Sequence, residues 1–255
     1  GGNYNVTVGD EAGTAITTGD QNTFVGSFSG VATVTTSDNT GLGLSTLRAN
    51  TGSSNTALGS QALRNNTTAS NNTAVGFQAG YYTTTANRLT AIGQFAGYGQ
   101  ATGAENTYVG YGSGPNTVAN ASGQYNTGLG TFALYSNTTG SESTAVGYQA
   151  GYSNTTGRIT AMGRHAVKNN TTAVEVTGIG YRALRDNTTG QYNTSVGGDA
   201  LMQNTTAGSN TAVGYQALYD NTTGGVNTAV GASAGENITT GNGNTILGRA
   251  ALRAV

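Results

Sequence analysis

The stretch NTAVGYQALYDNTTGGV, Asn210–Val226, is followed at once by NTAVGASAGENITTGNG, Asn227–Gly243, and each is 17 residues long. Outward from this pair the same unit recurs along the whole chain. Fifteen glycines that follow an aliphatic residue, from Gly9 to Gly248, mark fifteen units. The spacing between them is 17 residues, except for two gaps of 16 and one of 20. Counted from four residues before its glycine, the unit reads N-T-A-V-G-Y-Q-A-L-Y-x-N-T-T-G-x-x. A fixed period of this kind is the mark of a repeat architecture and takes precedence over any local assignment.

Each column has a physical reading. The fourth position is Val, Leu, Ile or Met in every unit, which predicts a buried column: Val25, Leu58, Val75, Ile92, Val109, Leu129, Val146, Met162, Ile179, Val196, Val213, Val230 and Leu247. The second position is Thr in all units but the first, where Val6 stands, and it shares a strand face with the fourth. The fifth is always Gly, as a special backbone angle or a close neighbouring backbone requires. The eighth is always Ala, Ser or Thr, and the ninth is Leu or Gly with the one exception of Val167. Positions three and nine are expected to form a second apolar stripe outside the roll. NTTG reads as a turn.

A 17-residue period is too short for the helical repeats, and the Gly, Asn and Thr content disfavours helix. The expectation is therefore an all-β fold: a β-solenoid (β-roll) of about fifteen coils, each with two short strands and two tight turns. Coils would stack at about 4.8 Å, so that Asn meets Asn and Thr meets Thr. The chain is read as one repeat domain, residues 1–255, with coils starting at Asn5. A bulging loop is placed in the coil 106–125, which carries the only proline, Pro115. Both ends of the chain read as the middle of something, so a longer fibre protein is expected around it.

Composition excludes several function classes. Only 8% of residues are charged and the net charge is −1, against about 25% charged in an ordinary domain. That leaves no electrostatic footprint for nucleic acid. There is no cysteine, hence no disulfide or thiolate metal site. No apolar run reaches the roughly 18 residues of a membrane span, so membrane insertion of this segment is not expected.

The pattern T-A-V-G-x-x-A resembles repeats in the head domains of trimeric autotransporter adhesins. The full unit NTAVGYQAL…NTTG is more similar still to repeats of phage tail-fibre-like and bacterial surface fibre proteins. The resemblance implies three chains packed side by side, a homotrimer. It also implies an extracellular location on a cell surface or virion, and an adhesive or structural role at a host or prey cell surface. The 17-residue unit is longer than the usual adhesin-head repeat.

Candidate chemistry is sparse. The single histidine, His165, sits in a variable column. The acids Asp10, Glu11, Asp199, Asp220 and Glu236 do not recur at the fixed spacing that two-carboxylate glycoside hydrolysis needs. No enzyme activity, cofactor or metal is therefore expected. The tenth position is the informative column: Arg48, Arg64, Tyr81, Tyr98, Tyr135, Tyr152, Lys168, Arg185, Met202, Tyr219 and Arg253. The sixth adds Phe77, Tyr111, Tyr148, Tyr181 and Tyr215. Such side chains cover a thin roll or line a contact between subunits. In the functional reading, the Tyr and Arg side chains of the tenth column stack on cell-surface glycans or proteins. The alternative function is a monomeric solenoid with a ligand-binding face, either carbohydrate-binding or ice-binding, the latter through the Thr column at position fourteen. Seven NTT triplets, among them Asn66–Thr68 and Asn187–Thr189, match the glycosylation sequon, but their turn role accounts for them.

Overall fold

In a computed structural model of the chain, residues 2–115 and 120–252 are described. Residues 116–119 of the expected loop and Arg253 lie outside the described residues. The protein is all-β: the described residues contain no helix, and its short parallel strands recur every 17 residues or so as a β-solenoid. The chain divides into two compact units, Gly1–Asn126 and Thr127–Val255. The first holds β1 (Val6–Val8), β2 (Thr23–Val25), β3 (Thr40–Leu42), β4 (Thr56–Leu58), β5 (Thr73–Val75), β6 (Thr90–Ile92) and β7 (Thr107–Val109). The second holds β8 (Thr127–Leu129), β9 (Thr144–Val146), β10 (Ile159–Met162), β11 (Val176–Ile179), β12 (Thr194–Val196), β13 (Thr211–Val213), β14 (Thr228–Val230) and β15 (Thr245–Leu247).

Within each unit, consecutive strands pair in parallel and in register, Thr beside Thr and aliphatic beside aliphatic, as in Thr73↔Thr90 and Val75↔Ile92. The 16-residue spacings keep this register, with Thr40 opposite Thr56 and Thr144 opposite Thr160. The missing residue comes out of the turns. Each coil carries one strand rather than the expected two. In the NTTG half, several N–H groups converge on one carbonyl of the next coil: Thr138, Thr139 and Gly140 all donate to Thr155 O at 3.0–3.1 Å. That column is hydrogen-bonded without alternating like a strand.

The in–out assignment of the strand is the reverse of the sequence expectation. The third position faces in: Ala57, Ala74, Ala91, Ala145, Ala161, Ala212 and Ala229 are fully buried. The fourth position faces out. Leu58, Ile92, Leu129, Met162, Ile179, Val230 and Leu247 are exposed, from 36% at Val230 to 78% at Leu247. Val25, Val75, Val109, Val146, Val196 and Val213 are half-buried. The reason is alternation. The coil interior takes the third and eighth positions, the ninth where it is Leu, and the asparagines, and a strand that alternates every residue must send its second and fourth side chains to the other face. The third and ninth positions are thus core, not an outer stripe.

The core balances volume within and between coils. Where position nine is Leu, the side chain is fully buried at Leu47, Leu63, Leu134, Leu184, Leu201 and Leu218, and exposed at Leu252. Where it is Gly, a large neighbour fills the space. A Cβ on Gly30 or Gly114 would lie 2.5 Å from the rings of Phe24 and Tyr108, and one on Gly151 would lie 2.6 Å from Ile159 Cδ1. Close packing at fixed total volume accounts for the pattern.

Two columns of buried asparagine complete the interior. At position one, where asparagines stand on consecutive coils, the backbone N–H bonds the side-chain oxygen of the coil before: Asn39 N to Asn22 Oδ1 at 3.0 Å, Asn227 N to Asn210 Oδ1 at 2.9 Å. At position twelve, amide bonds amide: Asn187 Nδ2 to Asn170 Oδ1 at 3.1 Å, Asn204 Nδ2 to Asn187 Oδ1 at 2.7 Å. The second donor hydrogen goes to a carbonyl three residues on, as from Asn187 to Gly190 O at 3.0 Å. These are the side-chain ladders expected of stacked identical segments. Asn66 and Asn187, which head NTT triplets, are fully buried, so their amides serve the ladder rather than a glycan or a left-handed turn.

Candidate functional site

Two surfaces carry the side chains that the fold leaves outside. The first is the outer strand face of each unit, with a column of Thr at position two beside the aliphatics of position four. Among the described residues these threonine hydroxyls make no side-chain hydrogen bond, whereas those at position thirteen donate to the next coil, as Thr67 Oγ1 does to Thr84 O at 2.9 Å and Thr188 Oγ1 to Thr205 O at 3.0 Å. The fourteenth-position threonines are exposed, Thr68, Thr85, Thr189 and Thr223 among them, but they stand as a single column on the turn.

The second surface is the flank formed by positions six, seven and ten. In the first unit it gathers Tyr81, Tyr98 and Arg64. The rings of Tyr81 and Tyr98 stack with centroids 5.3 Å apart and planes 18° apart. Tyr82 stands edge-on to both, at 4.8 and 5.1 Å, and Arg64 Nη1 donates to the Tyr81 hydroxyl at 2.7 Å. Phe95 joins the cluster edge-on to Phe77, Tyr98 and Tyr111. In the second unit Tyr135 and Tyr152 stack at 5.1 Å with nearly parallel planes, and Phe132 stands edge-on to both. Burial pushes the Tyr98 phenol up, followed by its hydrogen bond with Tyr82. Burial and then the Tyr135 phenol do the same for Tyr152. These rings turn their faces to each other, so most of the stacking surface is spent within the ladder. Of the remaining candidates, Arg48 lies over the Phe28 ring at 5.4 Å, Arg185 pairs with Asp186, and Tyr219 is half-buried and apart from both stacked pairs.

Sequence reasoning named Tyr148, Tyr181, Lys168 and Arg185 by column but passed over Arg164 and Arg182, which lie with them around His165. Arg164 sits between the rings of Tyr148 and Tyr181, 5.9 and 5.8 Å from their centroids. Lys168 lies 6.0 Å from the Tyr152 ring centroid. His165 itself contacts Tyr148 at 5.4 Å. Its pKa is held below the ordinary histidine value of 6.5, by burial first and then by Lys168, Arg164, Arg185 and Arg182. As the chain's only histidine, it gives a single resolved imidazole signal by NMR. Its titration midpoint is expected below 6.5, and Lys168→Met is expected to move it upward. A midpoint at or above 6.5 in the unaltered protein would exclude this electrostatic arrangement.

Arg158 lies on the turn between Glu142 and Glu175 and pairs with both. The adjoining cleft of 160 Å³ is lined by these three residues with Ile159, Thr160, Val176 and Thr177. Here Ser143, Ile159 and Val176 interrupt the first asparagine column. One arginine is thus shared by two glutamates across neighbouring coils. Among the described residues no group of three His, Cys, Asp or Glu could hold a metal ion, and no helix is long and apolar enough to cross a membrane. No protein-family model, curated protein or solved structure matches this chain.

Proposed function

We propose that this chain is a non-enzymatic structural module of an extracellular fibre, on a cell surface or a virion, that projects a tip and itself contacts a host or prey cell surface. Three copies pack side by side through the outer strand face. The observation that carries this is the outward-facing aliphatic column, exposed or half-buried at every strand of both units. A soluble monomer seldom leaves so extended an apolar stripe in water. Contact between copies would cover it, and a cyclic arrangement closes without leaving a further open face. Stacked ladders and low charge fit a stiff spacer.

Light scattering on the purified chain tests the assembly. The expected mass is three times 25.5 kDa. Ile92→Lys with Ile179→Lys, one on each unit, is expected to reduce it to that of one chain with the β-type circular dichroism retained. A single-chain mass for the unaltered protein overturns the trimer.

One observation favours a second reading. The Thr hydroxyls of position two and the aliphatics of position four form two parallel rows repeated at about 4.8 Å, an ordered array of hydroxyl and methyl groups of the kind that could organise water or bind ice. It uses the same face and so excludes the trimer. A monomeric protein that arrests ice recrystallisation at micromolar concentration supports it, and no inhibition removes it.

A further inference from the structure

We propose that the flank of the Thr127–Val255 unit binds an acidic polysaccharide through its carboxylates, with Arg164 and Lys168 as the anion-binding pair and Tyr148 and Tyr181 as the walls. Four of the chain's ten Lys and Arg residues, Arg164, Lys168, Arg182 and Arg185, gather around His165 on this flank, in a protein with only 8% charged residues. Two of the four already hold carboxylates. Arg182 grips Asp199 with two bonds, Nε to Oδ1 at 2.7 Å and Nη2 to Oδ2 at 2.9 Å. Arg185 grips Asp186 likewise, at 2.9 and 2.6 Å. Arg164 and Lys168 make no ion pair among the described residues. Each faces a tyrosine where its neighbours face an acid. The chain itself thus shows which ligand group this flank receives, and supplies one for every cation of the cluster except these two.

Three features narrow the ligand. Fork-shaped guanidinium groups select planar carboxylates. Tyr148 and Tyr181 are 43% and 44% exposed, an amphipathic surface beside the cations against which a sugar ring can lie. The surrounding acids Asp186 and Asp199 oppose a densely charged polyanion, and two free cations fall far short of the phosphate neutralisation that sustains nucleic-acid binding. A sparsely charged saccharide chain is the ligand that fits.

This rests on the surface-contact part of the proposed function and is independent of the trimer. The test is retention of the whole chain on immobilised polygalacturonate and on dextran, at neutral pH and low salt. Retention on polygalacturonate and not on dextran is expected. Arg164→Gln with Lys168→Gln is expected to weaken it by about tenfold or more, a loss of the order of one charge-assisted contact. Arg249→Gln, an exposed arginine outside the cluster, leaves it unchanged. Because the altered side chains are not part of the core, circular dichroism is expected to match the unaltered protein. No retention of the unaltered chain, equal retention on dextran, or equal retention of the double variant overturns the proposal. Light scattering on the same samples separates the two ideas: a trimer that is not retained counts against the site alone, and a retained monomer counts against the fibre alone.

Discussion

Replacing Gly180 by alanine is expected to abolish folding of the Thr127–Val255 unit at ordinary temperature. Gly180 has φ +135°, and a Cβ there would lie 2.5 Å from Gly197 O and 2.6 Å from its carbonyl carbon. Both obstacles are backbone. The preceding coil is stacked in the same way, since a Cβ on Gly163 would collide with Gly180 O. The backbone angle alone costs about 1–3 kcal/mol for an L-residue, and the overlap adds to it by forcing two coils apart. A domain stabilised by about 5–15 kcal/mol in total does not absorb that. In a solenoid, stability is largely the sum of interfaces between neighbours, so a central lesion severs the array. Gly198→Ala is the matched control. Its Cβ would meet only the Tyr215 ring, at 3.5 Å, and an effect within about 0.5 kcal/mol is expected. Thermal melts followed by circular dichroism check both, and equal melting of Gly180→Ala and the parent would show that the coils are not stacked as described.

Asn204→Asp is expected to be nearly as damaging, and in a pH-dependent way. Asn204 is fully buried. Its Nδ2 donates to Asn187 Oδ1 at 2.7 Å and to Ala207 O at 3.0 Å, and its Oδ1 accepts from Asn221 Nδ2 at 3.1 Å. A carboxylate keeps the acceptor and turns both donor bonds into oxygen facing oxygen. An uncompensated buried charge costs about 3–5 kcal/mol. The carboxyl in the folded state would therefore titrate above its unfolded value of about 3.9. Stability is greatest below that value, where both states are protonated and the acid O–H restores one donor. It falls as pH rises from about 4 to the folded-state pKa and stays low above it. Denaturant unfolding at pH 3.5 and at pH 7 is expected to show a larger deficit at pH 7, and a deficit that does not change with pH would count against a ladder of donors and acceptors at this position.

The period, the parallel register and the obligatory glycine were all legible in the sequence, because stacking repeats each chemical demand in every unit. The direction of the strand was not. Invariant Val, Leu, Ile or Met beside Ala suggests that the larger residue is inside, yet it is the third position that faces in, and where that residue is as large as Phe24 or Tyr108 the ninth is Gly to make room. The stronger hint lay in the ninth position, where Leu alternates with Gly as only a tightly filled space would require. The stacking of Asn on Asn was expected, whereas the turn role given to the asparagines of NTT was misplaced. In most chains they mark turns, whereas here the left-handed angles fall on residues such as Leu184, Gln149 and Tyr192, and asparagine is chosen for an amide that both donates and accepts. Of the flank, the stacked tyrosines were predictable from column ten. The grouping of Arg164, His165 and Lys168 with Arg182 and Arg185 was not apparent from that column alone, because these residues lie on two coils. Overlaying positions six, seven and ten of neighbouring coils would have revealed it.

The sharing of volume between adjacent coils also bears on how such a chain can change its length. Tandem units of near-identical sequence invite unequal recombination, and duplicating or deleting one unit preserves the strand register. It does not preserve the filling. Gly151 depends on Ile159 of the following coil, and Gly80 on Leu63 of the preceding one. A crossover that parts such a couple would leave either a void or a collision. Only exchanges that carry both members together are silent, so the order of the units is itself inherited information.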